Sequence, residues 1–135
     1  MSVEAALLEW RRAQSALGAS GSCQRDGYYA DAVSRAYYAV LHAAKATLAY
    51  NGFGAPNTHD GVSNRFGLHI ASTGLIERHF AAEIGRLYDL RNRADYVVDA
   101  VFSETDAQDA IARAEAFLNR IRELLAAAIP TERLR

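Results

Sequence analysis

The stretch that decides the fold is Tyr28-Tyr-Ala-Asp-Ala-Val-Ser-Arg-Ala-Tyr-Tyr-Ala-Val-Leu-His-Ala-Ala-Lys-Ala-Thr-Leu-Ala-Tyr-Asn51. It contains no glycine or proline, and Gly52 follows it, a residue suited to the position just past a helix end. Alanine, the best intrinsic helix former, recurs throughout. Two apolar stripes lie on it at helical spacing. Tyr29, Val33, Tyr37, Leu41, Ala44 and Leu48 form a bulky one; Ala32, Ala36, Ala39, Ala43 and Ala46 form a small one, over which another helix can approach closely. A helix apolar around so much of its circumference is buried on several sides, so this one is expected at the centre of the molecule.

Upstream, Ser2 suits an N-cap, and Glu4 falls in the positive first turn of a helix carrying Val3, Leu7, Trp10, Gln14 and Leu17 on one face. Gly18 and Gly21 each weaken that helix by about 1 kcal/mol relative to alanine. It is nevertheless expected to reach about Asp26, with Gly27 at the C′ position; an end near Gly18 is the alternative. Downstream, positions 51–57 read as a loop, and Thr58 caps a short helix ending near Ser72, with Val62, Phe66 and Ile70 at spacing four. Gly74 marks a turn. A fourth helix is expected from Leu75 or Glu77 through Val98, carrying Ile76, Phe80, Ile84, Leu87, Arg91 and Asp95. After a loop around Phe102–Glu104, Thr105-Asp-Ala-Gln108 fits a capping box. The last helix carries Ile111, Ala114, Phe117, Leu118, Ile121, Leu124 and Leu125, and Pro130 ends it.

The 135 residues suit one domain, 1–135, and 50% hydrophobic content gives it a real core. With two prolines and no β-branched runs, the expected class is all-α: an antiparallel, up-and-down bundle of four long helices plus one short helix. A net charge of −1, spread along the chain, argues against a general phosphate-coating surface and leaves room for a local basic cleft. Cys23 is the only cysteine, which excludes a disulfide framework and a thiolate zinc site and suits a reducing compartment. The first residues lack the pattern of a signal peptide, and no apolar run approaches the roughly 20 residues that span a bilayer. A soluble, cytoplasmic protein without membrane attachment is expected.

Three segments, in order, carry a resemblance. Asp31-Ala-Val-Ser-Arg-Ala-Tyr-Tyr-Ala-Val-Leu-His-Ala-Ala-Lys-Ala46 resembles the second helix of the HEPN (higher eukaryotes and prokaryotes nucleotide-binding) superfamily. Thr58-His-Asp-Gly-Val62 and Leu87-Tyr-Asp-Leu-Arg-Asn-Arg-Ala-Asp-Tyr96 resemble two later features of its small stand-alone bacterial and archaeal branch. The resemblance implies a homodimeric helical bundle, often made beside a small nucleotidyltransferase in a toxin–antitoxin-like module, with no cofactor. In active members an arginine and a histidine, separated by four residues, cut RNA without a metal in a cleft at the dimer interface. Carried onto this chain, the arginine is Arg91, followed by Asn92, and Tyr96 stands at the histidine's position. Where the histidine is present, the partner enzyme can add a nucleotide to a nearby tyrosine. Tyr96 is not at that tyrosine's position, which weakens the expectation of such an adduct here without removing it.

The chemistry explains why that departure matters. Metal-free cleavage needs a base for the 2′-hydroxyl, an acid for the leaving oxygen and a cation for the phosphorane; histidine titrates near working pH, whereas an ordinary tyrosine, at about 10, does not. Arg91 can still grip phosphate through its planar fork. Arg91, Asp95 and Tyr96 are therefore the candidate catalytic set, and Arg35, Tyr38, His59, Arg91 and Asn92 the candidate nucleotide- or RNA-binding set. The plain alternative is that Arg91–Asp95 and Asp89–Arg93 are spacing-four ion pairs. His42 reads as a packed or interface residue, His59 as either a cap or a ligand-facing group. His69 and His79 lack partners at metal-ligand spacing, so no metal site is expected. Tyr37 and Tyr38 suit the core and its polar edge, or a base-stacking platform. Three functions follow in order: a dimeric nucleotide- or RNA-binding partner of a nucleotidyltransferase, a weak metal-independent ribonuclease toxin using Arg91, and a structural dimerisation bundle.

Overall fold

The computed structural model describes residues 2–54 and 56–135. Residue 1 and residue 55 of the expected loop lie outside the described residues. Among the described residues five α-helices follow one another: α1 (Val3–Arg25), α2 (Tyr29–Tyr50), α3 (His59–Phe66), α4 (Arg78–Tyr96) and α5 (Glu104–Ala126). A π-helical turn, Gly67–Ala71, continues α3, and a 3-10 turn, Thr131–Leu134, follows α5. No strand occurs among the described residues. The fold is the expected all-helical bundle of four long helices and one short one.

The first helix runs through Gly18, since Ser2 accepts the Ala5 N–H at 3.1 Å and Gly27 takes the left-handed conformation, φ +83°, just past its end. Gly52 does the same after α2. α1 runs antiparallel to α2: Glu9 lies against His42, and the Ser20 hydroxyl donates to the Ala32 carbonyl at 2.6 Å. α4 is also antiparallel to α2, with Asp95 opposite Ser34 and Arg91 opposite Tyr38. α5 is parallel to α2 across the bundle, Ala32 packing with Ala107 and Ile111 near one end while Thr47 and Leu125 share a recess near the other. Such a diagonal approach needs small residues, and all five alanines of the predicted small stripe are fully buried. The core joins α2 to every other long helix through Trp10, Leu48, Phe66, Ile84, Leu87, Phe117 and Ile121. α2 is the central element.

Two boundaries differ from expectation, and a third falls where expected but by an unexpected turn. α4 stops at Tyr96 rather than Val98, because Val97 turns extended (φ −98°, ψ 101°) and Val98, wholly exposed, has no core to face. The box before α5 is built by Ser103 and Asp106, not by Thr105 and Gln108. The Ser103 hydroxyl accepts the Asp106 N–H at 3.1 Å and the Asp106 carboxylate accepts the Ser103 N–H at 2.9 Å. The short helix reaches Ala71 only by widening into a π turn, which brings Phe66, Ile70 and Ala71 into the core together.

No helix among the described residues is long and apolar enough to cross a membrane.

Candidate functional site

Near one end of the bundle α2, α3 and α4 converge on Arg91. Four turns of α4 carry the Ile84 and Leu87 side chains into the core, and the same face then delivers Arg91 to the core's edge. Its guanidinium is caged. Nη2 donates to the Tyr38 hydroxyl at 2.6 Å and, more weakly, to the Tyr96 hydroxyl at 3.5 Å; Nη1 donates to Asn92 Oδ1 at 3.0 Å. Nε lies 3.0 Å from Asp95 Oδ2 but out of line with it, so the contact is an ion pair and Nε remains a buried donor without an aligned acceptor. Aromatic rings enclose the cation: its central carbon is 5.3 Å from the Tyr38 and Tyr96 centroids and 5.8 Å from that of Tyr37. Burial alone would lower the Arg91 pKa, but the Tyr38 hydroxyl, Tyr96 and Asp95 outweigh it and hold the guanidinium charged.

His59 reaches the same recess from α3. Thr58 caps that helix, accepting the Gly61 N–H at 3.0 Å. A β-carbon at Gly61 would stand 2.8 Å from Pro56 Cβ and 2.9 Å from Thr58 Oγ1, so only glycine lets the loop fold this tightly over the first turn. That turn aims His59 inward. Its Nδ1 lies 3.0 Å from the Tyr37 hydroxyl, and its ring stacks on Tyr88 at 3.6 Å between centroids and 12° between planes. Burial, helped by Arg91, pushes the His59 pKa below its ordinary 6.5, against the opposing pull of Asp60 and Asp89. The imidazole is therefore neutral near pH 7. Burial likewise drives the Tyr37 hydroxyl well above its usual range, so it is a neutral hydrogen-bonding group.

The candidate residues thus separate. Arg91, Asp95, Tyr96, Asn92, Tyr38 and His59 come together. Arg35 stands on the far side of the Tyr38 ring, 5.7 Å from its centroid, facing a groove between α1 and α2 that also holds Arg12 and His42. The Arg91–Asp95 pair forms, whereas Asp89–Arg93 does not; Arg93 lies instead over the Phe102 ring at 5.5 Å. His42 pairs with Glu9 at 2.7 Å, a packed residue as expected. His69 stacks on Phe53, and His79 lies tilted against Phe80 at 4.1 Å between centroids. Sequence reasoning missed Ser34, whose hydroxyl donates to Asp95 at 3.3 Å. The available signal was a buried serine one turn before Tyr38 on an otherwise apolar helix. Tyr88, a turn before Arg91 by spacing, lines the recess as that spacing implies, whereas Asn57, which also lines it, carried no comparable signal.

Chemically, the recess offers one charged planar fork, one neutral imidazole and several aromatic faces. That combination suits phosphate with an attached base or sugar.

An antiparallel helical bundle with a caged arginine near the end of its fourth helix defines a class, and the comparisons with known proteins say which. The family model described as the HEPN domain matches residues 7–124, and the chain belongs to that family. A protein of Methanocaldococcus jannaschii named a putative toxin is 42% identical over 97 residues, covering 72% of this chain and 71% of its own. A second M. jannaschii protein with the same kind of name is 27% identical over 84% of this chain and 77% of its own. A UPF0332 protein of Thermotoga maritima is 29% identical over 85% of this chain and 86% of its own.

Proposed function

We propose that the chain is the HEPN half of a toxin–antitoxin-like module: a cytoplasmic homodimer that binds RNA or nucleotide phosphate through Arg91 and works beside a small nucleotidyltransferase. The observation that carries this reading is the cage around Arg91. An arginine whose rotamer is already fixed by Tyr38, Asn92, Asp95 and three rings loses little freedom when it grips a phosphate. Tyr38 and Tyr96 supply faces on which a base can stack. The toxin-like names of two relatives support the module. The homodimer is supported by apolar surface beside the site, where Tyr96, Val97, Val98 and Val101 are 69%, 45%, 101% and 86% exposed.

The test is Arg91→Ala. Removing a charged hydrogen-bond donor should weaken binding of a dye-labelled single-stranded RNA by about 10- to 100-fold in fluorescence anisotropy. The thermal midpoint should move little. Unchanged RNA affinity would remove the reading.

A second reading, metal-independent cleavage by Arg91 with Asp95 and Tyr96, draws on one contact, the Tyr96 hydroxyl within 3.5 Å of the guanidinium. Tyr96→His should raise cleavage in EDTA if α4 alone carries the chemistry; no gain would count against that version.

A further inference from the structure

Position 96 holds no histidine, yet the recess contains one. His59 and Arg91 line the same cavity of about 220 Å³, one from α3 and the other from α4. Tyr37 stands between them, its ring centroid 5.8 Å from the His59 ring and 5.8 Å from the Arg91 guanidinium carbon. The His59 ring is fixed in two ways, by the Tyr88 stack and by the hydrogen bond between Nδ1 and the Tyr37 hydroxyl. In the tautomer whose Nδ1–H donates to the Tyr37 oxygen, Nε2 is unprotonated and open to accept a proton from a ligand. The three remaining histidines fall away on position: His42 is tied to Glu9, His69 stacks on Phe53, and His79 lies tilted against Phe80, outside this cavity.

We propose that His59 is the proton-transfer group of this site, supplied across the cavity from α3 in place of a histidine on α4, and that the substrate is a single-stranded RNA phosphodiester. The assignment rests on the reading that RNA binds at Arg91. Nε2 takes the proton of the 2′-hydroxyl; the 2′-oxygen bonds to phosphorus; the bond from phosphorus to the 5′-oxygen breaks. The 5′-oxygen leaves with the proton returned by the imidazolium, giving a 2′,3′-cyclic phosphate and a 5′-hydroxyl. Arg91 neutralises the charge that gathers on the non-bridging oxygens. Nothing is oxidised or reduced, and no metal takes part in the step.

The groups facing His59 are Tyr37 from α2, Asp60 from α3 itself, and Tyr88, Asp89 and Arg91 from α4. Burial and Arg91 favour the neutral ring, the form that accepts a proton, so the rate should rise with pH through a midpoint below 6.5 and then level.

The experiment incubates the protein in EDTA with a short dye-labelled RNA of mixed sequence, and measures binding of the all-2′-deoxy counterpart in parallel. Cleavage to cyclic phosphate ends is expected, reduced about 100-fold or more in His59→Gln, while binding of the deoxy strand changes only a few fold. Tyr37→Phe keeps the ring but removes the Nδ1 partner, and should displace the pH midpoint. Wild-type rates in a folded His59→Gln overturn the assignment, as does RNA binding by the wild type without cleavage at any pH. If His59→Gln does not fold, an unmoved pH profile in Tyr37→Phe overturns it. Absence of RNA binding by the wild type overturns instead the reading on which the proposal rests.

Discussion

Toward α5, α2 offers alanine, and the two backbones approach with Ala32 against Ala107 and Ile111. Toward α4, around the same helix, it offers Ser34, Tyr37 and Tyr38, and meets Asp95, Tyr88 and Arg91. The first face gains from shape alone: small apolar side chains bury without a polar group to satisfy. The second fills its space with hydroxyls and a charge, each needing a partner in low-dielectric surroundings. One side of α2 spends its sequence on closeness, the other on a geometry that a ligand can use. Stability and ligand binding should therefore respond to different substitutions.

The comparison breaks first, and most heavily, on the apolar side. Phe117 is fully buried and packs against Phe66 at 5.7 Å and Phe80 at 6.0 Å between centroids. Phe117→Ala should cost about 3–5 kcal/mol in urea unfolding. Ala32→Leu forces a larger side chain between α2 and α5 and should cost about 1–3 kcal/mol, with RNA affinity per folded molecule unchanged. If Ala32→Leu abolished RNA binding in a folded protein, the two faces would not be independent. The smallest effect lies on the polar side and depends on pH. Since the folded-state pKa of His59 is below its unfolded value of 6.5, the unfolded chain binds more protons between the two. Its contribution to stability is complete above about 6.5 and is lost as pH falls toward the folded pKa. Thermal midpoints measured across that window should decline toward acid, and less so in His59→Gln. Equal slopes in the two proteins would show that His59 is not the group responsible.

Much of the bundle was legible because its signals are local. Gly27 and Gly52 end helices in the left-handed conformation that glycine tolerates, and the stripes of α2 are buried as their spacing implies. The misplaced end of α4 and the shifted capping box were decided by which of two adjacent candidates met a partner. Val98 found no core, and Ser103 reached Asp106 before Thr105 could act. In the site, Arg91–Asp95 was legible because spacing four puts both on one face, although the same spacing did not pair Asp89 with Arg93, which Phe102 draws away. The meeting of His59 with Tyr37 and Tyr88 was not, since it depends on how α3 docks across α2 and α4. Periodicity shows which face of a helix is buried, not which neighbour it meets.

The turn after α5 has a practical consequence. Leu134 is buried, and its carbonyl accepts hydrogen bonds from Trp10 Nε1 at 2.8 Å and Gln14 Nε2 at 3.0 Å. Trp10 is the only tryptophan in the chain, and the Arg122 guanidinium lies over its ring at 5.3 Å. The molecule thus carries a single tryptophan, excitable at wavelengths its tyrosines do not absorb, seated where α1, α5 and the last turn meet and not among the residues lining the Arg91 recess. Its emission reports on closure of the far side of the bundle, so a ligand at Arg91 can be titrated while the same sample signals whether the scaffold stays shut.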